Sequence, residues 1–233
     1  MKIELFDRYD IRTRICAFIF VASPFLLDAY ILLDAIRSLS STVIVVGVFI
    51  AGSGLATCWM RYLGNTVNQV DYIAEYLLPS TTTVDERTLD RYYTKLIRLE
   101  PSFAGLKSKD ISIRQSTAKA VSSWLKEKTR DEEYSLIREE NLNYGFIRNL
   151  FAVKPAFLSI FTLYNVLLLV LLIVSNWDRS AKEYFTTIPA EHVACMIIHV
   201  ISYLTWMLGI TNKIHDFAAK KYAKSVISAI DKI

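Results

Sequence analysis

Four apolar stretches, two on either side of a charged middle of about 90 residues, constrain this chain more than any other feature. They are Ile15–Ile36, Thr42–Met60, Ala156–Asn176 and Ala190–Ile210. Each is about 20 residues long, enough at roughly 1.5 Å per residue to cross a hydrocarbon core of about 30 Å. Lipid offers the backbone no hydrogen-bond partner, so each stretch has to be a helix. The expected fold is an all-α integral membrane protein of four transmembrane helices in two hairpins. A helical cytoplasmic domain is inserted between spans two and three.

The boundaries that follow are 1–63 for the N-terminal segment and first hairpin, 64–154 for the cytoplasmic domain, 155–212 for the second hairpin and 213–233 for a C-terminal helix. Hydrophobic residues make up 53% of the chain and charged ones 21%, a combination that requires segregation. The charge lies between the hairpins and at the termini. The first apolar run is too long for a secretory signal and carries Asp28 and Asp34. Cys16, Cys58 and Cys195 have neither metal-type nor redox-type spacing and read as small apolar residues.

Short flanks set the orientation. Lys2, Arg8, Arg12 and Arg14 precede span one, Arg61 follows span two, Arg148 and Lys154 precede span three, and Lys213, Lys220, Lys221 and Lys224 follow span four. The opposite loops hold only Arg37, and Arg179 with Lys182. Excess positive charge marks the cytoplasmic side, which places both termini and residues 64–154 there, in a bacterial inner membrane. Trp177, Tyr184 and Phe185 fit an aromatic belt on the far side.

Val67, Val70, Ala74 and Leu77 have seam spacing that would carry the second span's helix below the membrane as far as Leu78-Pro79. Thr83 with Glu86 has capping-box spacing for a helix over Val84–Leu99, and Thr129 with Glu132 has it for a later helix. A helix is expected from Ile113 to Lys126, and a loop over Phe103–Asp110. Fourteen Lys or Arg face thirteen Asp or Glu between Leu63 and Lys154. Without a basic excess, direct nucleic-acid binding is not expected.

Residues 139–155 are dense in information. On a helix, Leu142, Phe146, Leu150 and Val153 share one face, which suggests an elbow at headgroup level with Arg148 and Lys154 toward phosphates. Pro155 suits the first turn of the next helix. The reading open beside a plain elbow is a hinge at Gly145. The stretch E-x-x-N-Y-G-F-x-R-N-L-x-x-x-K-P resembles a pattern of uncharacterised bacterial four-span membrane proteins, and that resemblance implies the four-span layout alone.

Ionisable residues in lipid cost about 2.5–3.5 kcal/mol on insertion scales and each needs a reason. Asp28 lies about 14 residues past Arg14, and His199 about 14 before Lys213, so both sit roughly 21 Å from the cytoplasmic edge. They form a candidate intramembrane pair. Asn165 is nearer mid-depth. His192, Cys195, His199, Ser202 and Trp206 make one stripe on span four, which must face protein or water. The two accounts are helix–helix glue and a wet path through an oligomer. Gly52 and Ala56 have small-xxx-small spacing for close helix packing. The tail over Ile214–Ile233 is basic and amphipathic, and either lies on the anionic leaflet or packs on the central domain.

No nucleotide, protease, esterase or metal motif occurs, so no enzyme activity, cofactor or metal is expected. The expected function is an oligomeric, channel-like or membrane-perturbing effector controlled by its cytoplasmic domain. Compact four-span proteins of such layout occur in bacterial anti-phage defence. The alternative is a membrane anchor or scaffold that recruits a cytoplasmic protein partner without altering permeability. Expected partners are the bilayer, further copies of the chain and a cytoplasmic protein. The topology has a direct test: an external thiol reagent on whole cells should label a cysteine placed at Ser180 and spare one placed at Ser108. The opposite pattern would invert the orientation.

Overall fold

Among the described residues the backbone is helical and forms no strand. The protein is described by a computed structural model that covers residues 7–34, 39–67, 70–175 and 188–233. The expected belt residues Trp177, Tyr184 and Phe185 lie outside those described. So do Lys2, Arg37, Arg179 and Lys182, and the expected span ends Ile36 and Asn176.

Eight helices are labelled here in chain order: α1 (Arg8–Leu32), α2 (Leu39–Thr66), α3 (Tyr72–Tyr76), α4 (Glu86–Leu99), α5 (Ile111–Lys128), α6 (Ser135–Ser175), α7 (Ala190–Gly209) and α8 (Asn212–Ser228). Three of them, α1, α6 and α7, are long and apolar enough to cross a membrane. The second expected span falls within α2, a helix of 28 residues. The chain divides into two compact units, one of residues 1–67 and 145–214 and the other of 68–144 and 215–233.

The first unit reverses the usual solvent preference. Its exposed surface is aliphatic, including Leu163, Leu167, Val170, Leu171 and Val174 of α6, and Leu171 is 62% exposed. Its interior is aromatic. Trp206 stacks on Phe157 at 4.2 Å between centroids, and Phe25 meets Phe161 edge-on at 5.5 Å. Water would not tolerate so broad an apolar surface, whereas lipid favours it. Pro24, inside α1, has no N–H for the Phe20 carbonyl, and the Ser23 hydroxyl donates to that oxygen instead at 2.9 Å.

The second unit has an ordinary soluble core. Leu77, Leu89, Leu96, Leu106, Val121 and Leu125 are buried together with Val226 and Ile230 from the C-terminal segment. The apolar face of α8 is therefore occupied by this core, although Phe217 stays exposed. Asp71 accepts from the Ala74 amide at 3.3 Å, opening α3, and from the Ser122 hydroxyl at 2.8 Å, tying α3 to α5. The Tyr93 hydroxyl donates to the Leu77 carbonyl. Arg91 pairs with Asp231 at 2.9 Å.

Several local expectations are corrected. The seam over Val67–Leu77 is not one helix: α2 ends at Thr66, and Asp71 caps the separate helix α3. Val70 is exposed, while Ala74 and Leu77 enter the core. The cap of α4 is Asp85, not Thr83. Thr129 closes α5 by donating to the Leu125 carbonyl at 2.8 Å and opens nothing. The expected loop over Phe103–Asp110 is in part regular, since Pro101–Lys107 form a 3-10 helix. The expected elbow is unbroken helix, with Gly145 in the interior of α6 and Pro155 inside it rather than at its start.

The caps carry a pH dependence. Bonds from the Thr88 hydroxyl and amide hold the Asp85 carboxyl below its ordinary value, and Ser112 does the same for Asp110. A carboxyl depressed in the folded state stabilises above its unfolded pKa of about 3.9, and that contribution is lost as pH falls through the folded value. Asp85→Ala with Asp110→Ala should therefore lower the thermal midpoint of the full chain at pH 7. The difference from the wild type should shrink below about pH 4. Asp→Asn at both positions, which caps without titrating, should remove the pH dependence and keep most of the stability.

Candidate functional site

Asp28 is an ionisable group only 1% exposed, and it sits on α1 one turn after Pro24. Two side chains converge on a single carboxylate oxygen. His199 Nε2 lies 2.6 Å from Asp28 Oδ2, and the Tyr164 hydroxyl donates to the same atom at 2.8 Å. The three residues come from α1, α6 and α7, so one carboxylate joins three helices. The other oxygen, Oδ1, is buried with no hydrogen-bond partner. A carboxylate enclosed in this way would be costly without the groups that converge on it.

Aromatic rings close the surroundings. Phe161 meets the His199 ring edge-on at 5.2 Å, Tyr164 lies 5.9 Å from the same ring, and Phe25 is 5.1 Å from Tyr164. The Tyr203 hydroxyl shares a bond of 2.7 Å with Thr162. Cys195, one turn before His199, is buried facing the same carboxylate.

The other candidates stand apart from this cluster. Asn165 donates to the Phe161 carbonyl of its own helix at 2.7 Å. His192 is half-buried, and its Nδ1 is enclosed with no hydrogen-bond partner. Ser202 is half-buried, whereas Cys195, His199 and Trp206 on the same stripe are buried. Ala56 is buried, but Gly52 is exposed, and a Cβ there would meet nothing within 4 Å. Within one chain, Gly52 therefore makes no close helix contact. Lys154, expected to point at phosphates, donates to the Ile210 carbonyl at 2.7 Å, where α7 ends in a π turn over Thr205–Gly209. A cation there satisfies an orphan carbonyl and complements the helix dipole.

Gly145 has a packing role. A Cβ there would stand 2.7 Å from the Tyr9 hydroxyl and 3.0 Å from Thr13 Cγ2, so glycine is what allows α1 to approach α6 so closely. Asn149, wholly buried one turn further on, donates from Nδ2 to the Thr13 carbonyl at 2.8 Å. That carbonyl belongs to the π-helical stretch Ile11–Ile15.

Tyr164 was not singled out from sequence. The neighbouring candidate Asn165 is a short amide that bonds readily to its own backbone, whereas a tyrosine hydroxyl reaches outward. The available signal was the 4-3 spacing of Phe157, Phe161 and Tyr164 against Trp206, Tyr203 and His199.

The second unit holds a cleft of about 560 Å³ between the start of α6 and α8. Glu133, Glu140, Lys221, Lys224 and Lys232 line it, with Lys221 paired to Glu140 at 2.9 Å. Among the described residues no three His, Cys, Asp or Glu side chains cluster as a metal would need. Comparison with family models, with curated proteins and with solved structures returns no match.

Deleting one donor to Asp28 isolates its structural share. Tyr164→Phe should destabilise the protein in detergent or nanodiscs by about 0.6 kcal/mol and by no more than about 1.7, the mean and the maximum for intramembrane hydrogen bonds. Asn165→Leu, which removes only a bond within its own helix, should have the smaller effect.

Proposed function

We propose that this is a four-span, inner-membrane protein, with α2 as the span additional to α1, α6 and α7, both termini and residues 64–154 cytoplasmic. It acts as an oligomeric, channel-like or membrane-perturbing effector under the control of its cytoplasmic domain, a role that fits bacterial anti-phage defence. The observation that carries this reading is Asp28, buried and tied to Tyr164 and His199 with one oxygen left unpartnered. Ionisable groups held at membrane depth mark ion or proton pathways and gates far more often than chance placement would give. The rings around Asp28 point to a resting, closed bundle in which the carboxylate holds three helices together. A change in those bonds, or a pull on α6, changes what holds them.

A second reading has its own support. The cleft beside α8, lined by three lysines and two glutamates, is a surface on which a cytoplasmic protein could dock. A scaffold needs that surface and needs Asp28 only as glue.

Asp28→Asn separates the two, because it keeps hydrogen-bonding capacity and removes the charge. The effector reading expects loss of liposome conductance or of cell toxicity with oligomer mass and thermal midpoint close to wild type. Unchanged conductance and toxicity in Asp28→Asn and in His199→Gln would leave the scaffold reading standing.

A further inference from the structure

We propose that Arg14, Arg61 and Arg148 form a binding site for a phosphate-bearing anion at the end of the bundle where α1 begins and α2 ends. The site is independent of Asp28 and rests on no part of the effector reading. Arg14 is only 8% exposed and pairs with Asp10 one turn back. The same Asp10 oxygen lies 4.0 Å from Arg61. Arg148 Nε lies 3.4 Å from the place a Cβ of Gly64 would take, one turn beyond Arg61 on α2. Arg61 and Arg148 both repel the charge of Arg14. Arg14 and Arg61 thus share the Asp10 carboxylate, and Arg148 adds a third positive charge close to Arg14.

Two buried donors there are unused. Arg14 Nε has no hydrogen-bond partner, and neither has the Thr57 hydroxyl, one turn before Arg61 on the same face of α2. A buried guanidinium beside two others is costly, and an anion that takes up its free N–H relieves both the repulsion and the missing bond. Phosphate suits it best, because its oxygens match the guanidinium fork in pairs. The framework is fixed: Asn149 ties α6 to the Thr13 carbonyl, and its Oδ1 lies so close to Gly64 that a Cβ would collide with it. Arg14 directly precedes the first apolar stretch and Arg61 directly follows the second, which sets the site at headgroup level. The phosphate is therefore that of an anionic lipid or of a soluble molecule reaching the membrane surface.

Thermal shift of the full chain in neutral detergent distinguishes the sources. The probes are a short-chain phosphatidic acid, phosphatidylcholine of the same chain length, and inorganic phosphate. Phosphatidic acid should raise the midpoint where phosphatidylcholine does not, and Arg61→Gln should weaken its apparent affinity roughly tenfold. A response to phosphatidic acid alone assigns a lipid ligand, and a response to inorganic phosphate as well assigns a soluble one. Arg14 is buried, so Arg14→Gln reports on folding as much as on binding. Arg61 is exposed and only loosely paired, and its variant is decisive. Equal shifts with both lipids, no shift with any probe, or an undiminished shift in Arg61→Gln would overturn the proposal.

Discussion

A carboxylate buried among aromatic rings has to find donors inside the protein, and the first unit is arranged around that need. Asp28 on α1 cannot be satisfied by its own helix, whose backbone donors are already used. It draws Tyr164 from α6 and His199 from α7 onto one oxygen. Those two donors also fix the rotation of their helices, since the faces bearing them must turn inward. The aromatic residues one turn away on each, Phe161 and Tyr203, come inward with them. The opposite faces are then free to be largely aliphatic, as Leu163, Leu167, Val170 and Leu171 of α6 and Ile197, Val200 and Ile201 of α7 show.

The same logic governs the backbone. Lipid exacts a partner for every freed carbonyl, and the chain supplies each from a nearby side chain. Ser23 answers the carbonyl released by Pro24, Asn149 answers Thr13 in the π stretch of α1, and Lys154 answers Ile210 beyond the π turn of α7. A π turn widens the helix and leaves carbonyls without their usual i+4 donors. Both π turns lie at helix ends flanked by cations, where long polar side chains are abundant. Residues that sequence inspection assigns to lipid phosphates are thus partly used up inside the protein.

Much of this was legible beforehand, and the reasons differ by element. The apolar runs that became α1, α6 and α7 could be read because length and composition alone decide what crosses a bilayer. The juxtaposition of Asp28 and His199 followed from depth, since helical rise is nearly constant and equal distances from one membrane face put two residues at one level. Rotation was the weaker inference. Depth could not tell Tyr164 from Asn165, one residue and about 100° apart, and of the two it is Tyr164 that reaches Asp28. Capping was legible as a residue type and not as a position: Asp85 displaced Thr83, and Asp71 opens a separate helix where the spacing of Val67, Val70, Ala74 and Leu77 suggests a continuous one.

Gly145 shows why a glycine in a dense motif is ambiguous in sequence. Flexibility and close approach both call for the absence of a Cβ, and only the neighbours distinguish them. Here the backbone at Gly145 is plain helix, its φ is not positive, and Tyr9 and Thr13 fill the space a side chain would take. Gly64 repeats the pattern one helix away, against Asn149. The two glycines let α1 and α2 close on the same turn of α6, which carries Gly145, Arg148 and Asn149 within five residues. That closeness is what forces Arg14 and Arg148 into one neighbourhood with Arg61. A segment whose conspicuous glycine suggested motion therefore reads, with its partners in place, as a tightly packed junction that concentrates positive charge.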